Sequence, residues 1–128
     1  MMEVLDYLRV KNNERAEIWN ATHPENHTDV AEILFRSNEL GGECGELQNI
    51  VKKLMRQRLC MPTGEASVAE LADEAGDVLI CLDRLCAAFG VNLWEAAVHK
   101  FNKTSDKHGF PVKLEIEPPT QPVSREEG

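Results

Sequence analysis

Two carboxylate pairs constrain this chain more than any other feature. They are Glu43-Cys44-Gly45-Glu46 and Glu74-Ala75-Gly76-Asp77, each with its acids three residues apart and each followed at once by a helical apolar pattern. After the first come Leu47, Ile50, Val51 and Leu54; after the second, Val78, Leu82, Leu85 and Phe89. Residues three apart are neighbours on one helix surface. At about 100° per residue, Glu43 falls about 40° and Glu46 about 100° from Leu47, on one shoulder of the stripe that Leu40, Val51 and Leu54 share. Glu74 and Asp77 take the same two offsets from the stripe of Leu71, Val78, Leu82, Leu85 and Phe89. One acid of each pair therefore points partly toward a helix interface. A carboxylate there must be paired, protonated or bound to a metal. Four such groups on two helices make an oxygen-rich, negative cage that suits Mg²⁺ or Mn²⁺. The plainer reading is two acidic, solvated helix faces; the repeated angular relation favours the cage.

The rest of the composition narrows the partners. A chain of 128 residues suggests one domain with one modest core. The net charge of −8 argues against a nucleic-acid backbone or an anionic membrane as partner, because both ask for a basic surface. An anionic ligand would have to be bridged by metal. No apolar run has the length of a membrane span, and the N-terminal residues lack a signal-peptide pattern, so a cytoplasmic protein is expected. Cys44, Cys60, Cys81 and Cys86 form no CxxC motif and are expected to be reduced thiols at or near the core. The two Asn-x-Thr sequons, at Asn20 and Asn26, are then coincidental.

In chain order, residues 2–19 read as a first helix with Leu5, Leu8, Ala16 and Trp19 on an imperfect apolar face. A polar loop with Pro24 follows. Its His23 and His27 have helical metal-ligand spacing, but in a proline-containing loop they are expected to face solvent or substrate. Asp29, with Glu32 as its box partner, caps a helix over 29–58. Gly41, Gly42 and Gly45 inside it cost about 1 kcal/mol each, which calls for close helix approach or a kink. Lys52, Lys53, Arg56 and Arg58 end that helix. They either complement its C-terminal dipole or, for Lys53, contact substrate phosphates. After a loop over 59–66, Ser67 and Glu70 form a capping box. That box accounts for Glu70 and favours Glu74/Asp77 over the competing Glu70/Asp73 frame, with Glu70 left as a residue behind the ligands. Gly90 ends the third helix. Asn92 caps a fourth, with Glu95 at the box position and Trp94, Ala97, Val98 and Phe101 on its core face. Prolines beyond Gly109 exclude further helix; the alternation over 112–117 could make a short strand, and the end reads as a flexible tail. The fold class is thus all-α, about four helices over 1–109 and a tail over 110–128. So many amphipathic helices in a short chain leave apolar surface for a homodimer or homotetramer to bury.

The acid pairs, together with Leu93-Trp94-Glu95-Ala96-Ala97-Val98-His99-Lys100-Phe101-Asn102-Lys103, resemble the MazG-like all-α nucleoside triphosphate pyrophosphohydrolases over roughly residues 30–108. ExxE, ExxD and a following Lys-x-Asn-Lys segment make a fairly specific combination. The resemblance implies a MazG-like bundle completed by homo-oligomerisation, with helices shared across the site. It implies Mg²⁺, which Mn²⁺ can replace, on Glu43, Glu46, Glu74 and Asp77, and hydrolysis of a nucleoside triphosphate to monophosphate and pyrophosphate. Some phage members of the family act on dGTP or dCTP, and this compact chain is similar to them. Lys53, Lys100 and Lys103 would stabilise phosphate charge, Asn102 would orient a phosphate or sugar, and Glu46 is the candidate base. Trp19 and Asn20 would meet the nucleobase, although Trp19 serves equally well as core. The family often carries a further Glu before the first acid; here that place is Gly42, so the ion count stays open.

Other classes fit less well. A di-iron carboxylate bundle needs Glu-x-x-His, and neither pair has the histidine. A Nudix hydrolase needs its own helix motif and more strands. A non-catalytic helical interaction module is the broader rival. It expects neutralisation of Glu43 or Asp77 to be harmless, where the enzyme reading expects lost turnover with the fold retained.

Overall fold

In the computed structural model, residues 4–22 and 29–117 are described. They form four α-helices: α1 (Val4–Thr22), α2 (Asp29–Arg58), α3 (Val68–Ala88) and α4 (Leu93–His108). No strand occurs among the described residues. None of the helices is long and apolar enough to cross a membrane. The His23 and His27 expectations lie outside the described residues, as does the side chain of Asp29 and hence its cap. Residues 118–128 lie outside them too.

Local chemistry explains where the helices begin and end. Ser67 accepts from the Glu70 amide while Glu70 accepts from the Ser67 amide, a complete capping box. At α4 only half of the expected box forms. Asn92 accepts from the Glu95 amide at 3.0 Å and turns its NH₂ to Asp6 on α1. The first helix runs three residues past its expected end, because the Thr22 hydroxyl donates to the carbonyls of Ile18 and Trp19, which the helix end leaves orphaned. Three helices close with the same paired backbone bonds, six-to-one and five-to-two. Two have glycine in the left-handed position, Gly90 at φ 66° and Gly109 at φ 69°. The third, ending α2, puts Cys60 there at φ 54°.

The alternating 112–117 stretch does not become a strand. Every other described element is a helix, so no edge exists to pair with. One side chain takes the place of a neighbouring strand: Asn102 accepts from the Leu114 amide at 2.7 Å and donates to the Leu114 carbonyl at 2.9 Å. The Trp94 indole N–H also donates to the Ile116 carbonyl at 2.7 Å. Lys113 also pairs with Asp106, so the described part of the expected tail is irregular backbone tied to α4 by Asn102, Trp94 and Asp106.

The two longest helices, α2 and α3, form an antiparallel hairpin and pack along each other; α1 lies on α3, and α4 touches α1. The α1–α3 contact is polar. Arg9 donates to Asp83 (3.1 Å) and to the Val91 carbonyl, and Asn12 donates to the other Asp83 oxygen at 2.9 Å. Asp83 is only 1% exposed, the most deeply buried large side chain described. The apolar core is thin: only Cys81 and Val98 are buried hydrophobic residues among those described. Several positions expected inside are not. Phe89 is 64% exposed, and Phe101 and Val51 42% each. Those stripes have the right periodicity, but no other helix of the same chain covers them. Nor do the glycines of α2 mark close approach within the chain. A Cβ at Gly41, Gly42 or Gly45 would meet nothing within 4 Å, and α2 is helical across all three.

Candidate metal centre

The α2–α3 hairpin brings the two acid pairs together. One carboxylate oxygen from each of Glu43, Glu46 and Glu74 lies within 4.8 Å of the others. Asp77 stands beside them, close enough for its charge to act on Glu43 and Glu74. The helical offsets decide which acids turn inward. Glu43 and Glu74 are half-buried, whereas Glu46 and Asp77 are exposed. The Oε2 atoms of Glu43 and Glu74 are buried and have no hydrogen-bond partner. Buried polar atoms are nearly always satisfied, so two orphaned carboxylate oxygens in one cluster ask for a cation or a proton.

The protonation chemistry says the same. Burial pushes the Glu43 carboxyl above its ordinary range, reinforced by hydrogen bonding and repulsion from Glu46 and repulsion from Asp77 and Glu74. Burial likewise raises Glu74, with Glu46, Asp77 and Asp73 adding to it. Negative charge is crowded here without a compensating base. Among the described residues, no ion pair joins the four acids to a lysine or arginine. The donor set is all oxygen and anionic, which fits hard divalent cations and suits softer metals poorly.

Among the described residues, none of the expected lysines forms an ion pair with the four acids. Lys53 leans onto the loop, its Cε 3.7 Å from where a Cβ on Gly64 would stand. Lys100 and Lys103 are exposed on α4. Lys100 borders an open, mostly apolar groove with Phe101, Phe110 and Val112. Asn102 spends both ends of its amide on Leu114. Trp19 and Asn20 sit in the last turns of α1, Trp19 exposed and Asn20 half-buried. Among the thiols, Cys81 is buried and Cys44 and Cys86 are half-buried, whereas Cys60 is exposed, contrary to its expected near-core place. It follows the end of α2 on a loop that nothing covers.

Sequence reasoning missed a second cluster one turn from the acids. Glu39 lies four residues before Glu43, and it gathers three groups. Its Oε2 pairs with Arg36 at 3.2 Å, its Oε1 lies 3.6 Å from Arg84, and the Cys81 thiol donates to that same oxygen at 3.4 Å. Burial, then the Glu39 charge, pushes the Cys81 thiol up to about 11, so it stays protonated and acts as a donor. The available signal was Asp83-Arg84 inside the apolar run from Val78 to Ala88, since charged residues are rarely buried unless paired.

Comparison with protein-family models, with curated proteins and with solved structures finds no match to this chain.

Proposed function

We propose that this chain hydrolyses a nucleoside triphosphate to the monophosphate and pyrophosphate, with Mg²⁺ held by Glu43, Glu46, Glu74 and Asp77. The observation that carries the reading is the cluster of Glu43, Glu46 and Glu74 oxygens within 4.8 Å, two of its carboxylates each having a buried oxygen that no hydrogen bond satisfies. The MazG-like pattern of the acid pairs supports the same reading. When bound, the ion supplies charge neutralisation for the triphosphate and lowers the pKa of a bound water.

The chain's own residues do the rest. Glu46, the exposed acid of the cluster, takes the proton from the attacking water. The water oxygen bonds to the α-phosphorus as the bond to the pyrophosphate oxygen breaks. Lys53, Lys100 and Lys103 offset charge on the phosphates. Within one chain no ion pair joins the α4 lysines to the acids, so the reading includes a MazG-like homodimer or homotetramer in which a second copy brings them near. The chain would work in the cytoplasm on a nucleotide pool, dGTP or dCTP among the candidates. The exposed apolar stripes also suit a purely structural role as a helical interaction module.

Turnover separates the two. Purified protein is incubated with Mg²⁺ and each common ribo- and deoxyribonucleoside triphosphate, and products are resolved by ion-exchange chromatography. Monophosphate and pyrophosphate are expected, with Glu43→Gln slowing turnover about a hundredfold or more, the scale of losing one charge-stabilising group, while helicity is unchanged. Diphosphate with orthophosphate, or no turnover, overturns the reading.

A further inference from the structure

A cavity of about 380 Å³ opens where α1, α2 and α3 meet. Its size is at the lower end of the range for small-molecule sites. None of the four clustered acids lines it. Arg36 and Arg84 on its wall stand seven residues along their helices from Glu43 and Asp77. About 10 Å of helix separates the two places. The small side chains of Ala16, Ala87 and Ala88 leave the room.

Arg84 is the group without a match. Its side chain is 17% exposed, and its one acidic neighbour, Glu39, lies 3.6 Å away, beyond hydrogen-bond length. Among the described residues it makes no hydrogen bond. Arg36, by contrast, donates to Glu39 at 3.2 Å. A guanidinium carries five N–H donors in a flat fork that matches an oxyanion. Burial, then the charge of Arg36, pulls Arg84 below its ordinary pKa; Arg15 on α1 adds to this and Glu39 opposes it. The fork is therefore short of both partners and countercharge.

The surrounding charges select what it takes. Among the groups that line the cavity or act on Arg84, the guanidiniums of Arg15, Arg36 and Arg84 stand against the carboxylates of Glu32 and Glu39. One positive charge is in excess; Asp83 nearby is offset by Arg9. A singly charged anion balances that excess. A doubly charged phosphate, or pyrophosphate, overshoots it and meets the Glu32 carboxylate. The other polar groups at the cavity offer acceptors. Glu32 is 3.6 Å from Arg36, short of a hydrogen bond. Asn12 gives its NH₂ to Asp83 and keeps its Oδ1, and Asn13 adds a second carboxamide on the exposed side. We propose that this cavity binds a small carboxylate of single charge that also carries a hydroxyl, the carboxylate on Arg84 and the hydroxyl donating to Glu32. The proposal does not depend on the triphosphate reading, since the cavity and the acid cluster share no residue.

The test is binding to the full chain in metal-free buffer, which needs no turnover. Lactate, propionate and inorganic phosphate are titrated at constant ionic strength and above neutral pH, where phosphate is mainly a dianion. The backbone amide signals of Ala16 and Ala88 are followed by NMR. A saturable shift is expected with lactate, at lower concentration than with propionate, which lacks only the hydroxyl, and lower than with phosphate. Arg84→Gln should weaken lactate about tenfold or more, the scale of losing a charge-assisted hydrogen bond, with the melting temperature retained. If that variant unfolds, Arg84→Lys, which keeps the charge and loses the fork, makes the same comparison. Glu32→Ala should level lactate with propionate and tighten phosphate. No saturable shift overturns the proposal, as does phosphate binding as tightly as lactate. Displacement of lactate by Mg²⁺ with pyrophosphate would make the cavity part of the acid site and overturns it too.

Discussion

Glu43 and Glu74 give the residue scale its clearest consequence. Both carboxyls are raised above the ordinary glutamate value of 4.5. Between that value and the raised one, the folded chain holds more protons than the unfolded chain. Stability therefore falls as pH rises through this window. The metal-free protein is expected to lose melting temperature on raising the pH from 4.5 toward neutrality, and Mg²⁺ to restore it most at the upper end. In Glu43→Gln the pH slope is expected to be shallower and the Mg²⁺ response lost; thermal melts with and without EDTA read both. Cys60 gives a second test at this scale. Its left-handed φ of 54° costs a non-glycine residue about 1–2 kcal/mol. Glycine is permissive there, at an entropic cost of about 0.5–1 kcal/mol. Cys60→Gly is expected to gain on the order of 0.5–1 kcal/mol, a melting shift of roughly 1–4 °C.

At the scale of elements, α1 is held to α3 by the Asp83 carboxylate, which binds both Arg9 and Asn12. Removing one partner of a buried pair leaves the other uncompensated and costs about 3–5 kcal/mol. Asp83→Ala is expected to lose about 3 kcal/mol or more in urea unfolding, with α1 the first element to lose amide protection. These elements were largely legible in the sequence. The bounds of α2, the Ser67–Glu70 box and the glycine stops follow from chemistry within a few residues. The two acid pairs were legible for the same reason: their spacing fixed their angle on each helix, and the hairpin then set them face to face. Long-range partners were not legible. Arg9 meets Asp83 across 74 positions and Cys81 meets Glu39 across 42. No local pattern encodes which buried charge answers which. The exposure of Phe89 and Val51 was hidden likewise, since periodicity shows which residues share a face and not what covers it.

For the whole molecule, the thin core is the dominant fact. Leu34, Phe35, Val51, Met55 and Leu79 are all exposed on the long hairpin, although the periodicity of α2 and α3 is that of helices with something to bury. Domains of this size ordinarily need a substantial buried core to offset chain entropy. Light scattering is expected to give a mass of at least twice the single-chain 14.4 kDa. A mass of one chain at micromolar concentration would remove the oligomer from the proposed reading.

The clasp between Asn102 and Leu114 carries a consequence for how such a chain can change over generations. A carboxamide at that reach both gives and receives a hydrogen bond, so aspartate, nearly identical in shape, would keep the acceptor, lose the donor and set a negative charge against the Leu114 carbonyl. Helix α4 would tolerate the exchange, being held by its own backbone and by the caps at Asn92 and Gly109. Drift at position 102 would therefore leave the helices intact and loosen the segment after them. Position 102 thus sets how firmly residues 110–117 are held, beside the Trp94–Ile116 and Asp106–Lys113 contacts that would remain.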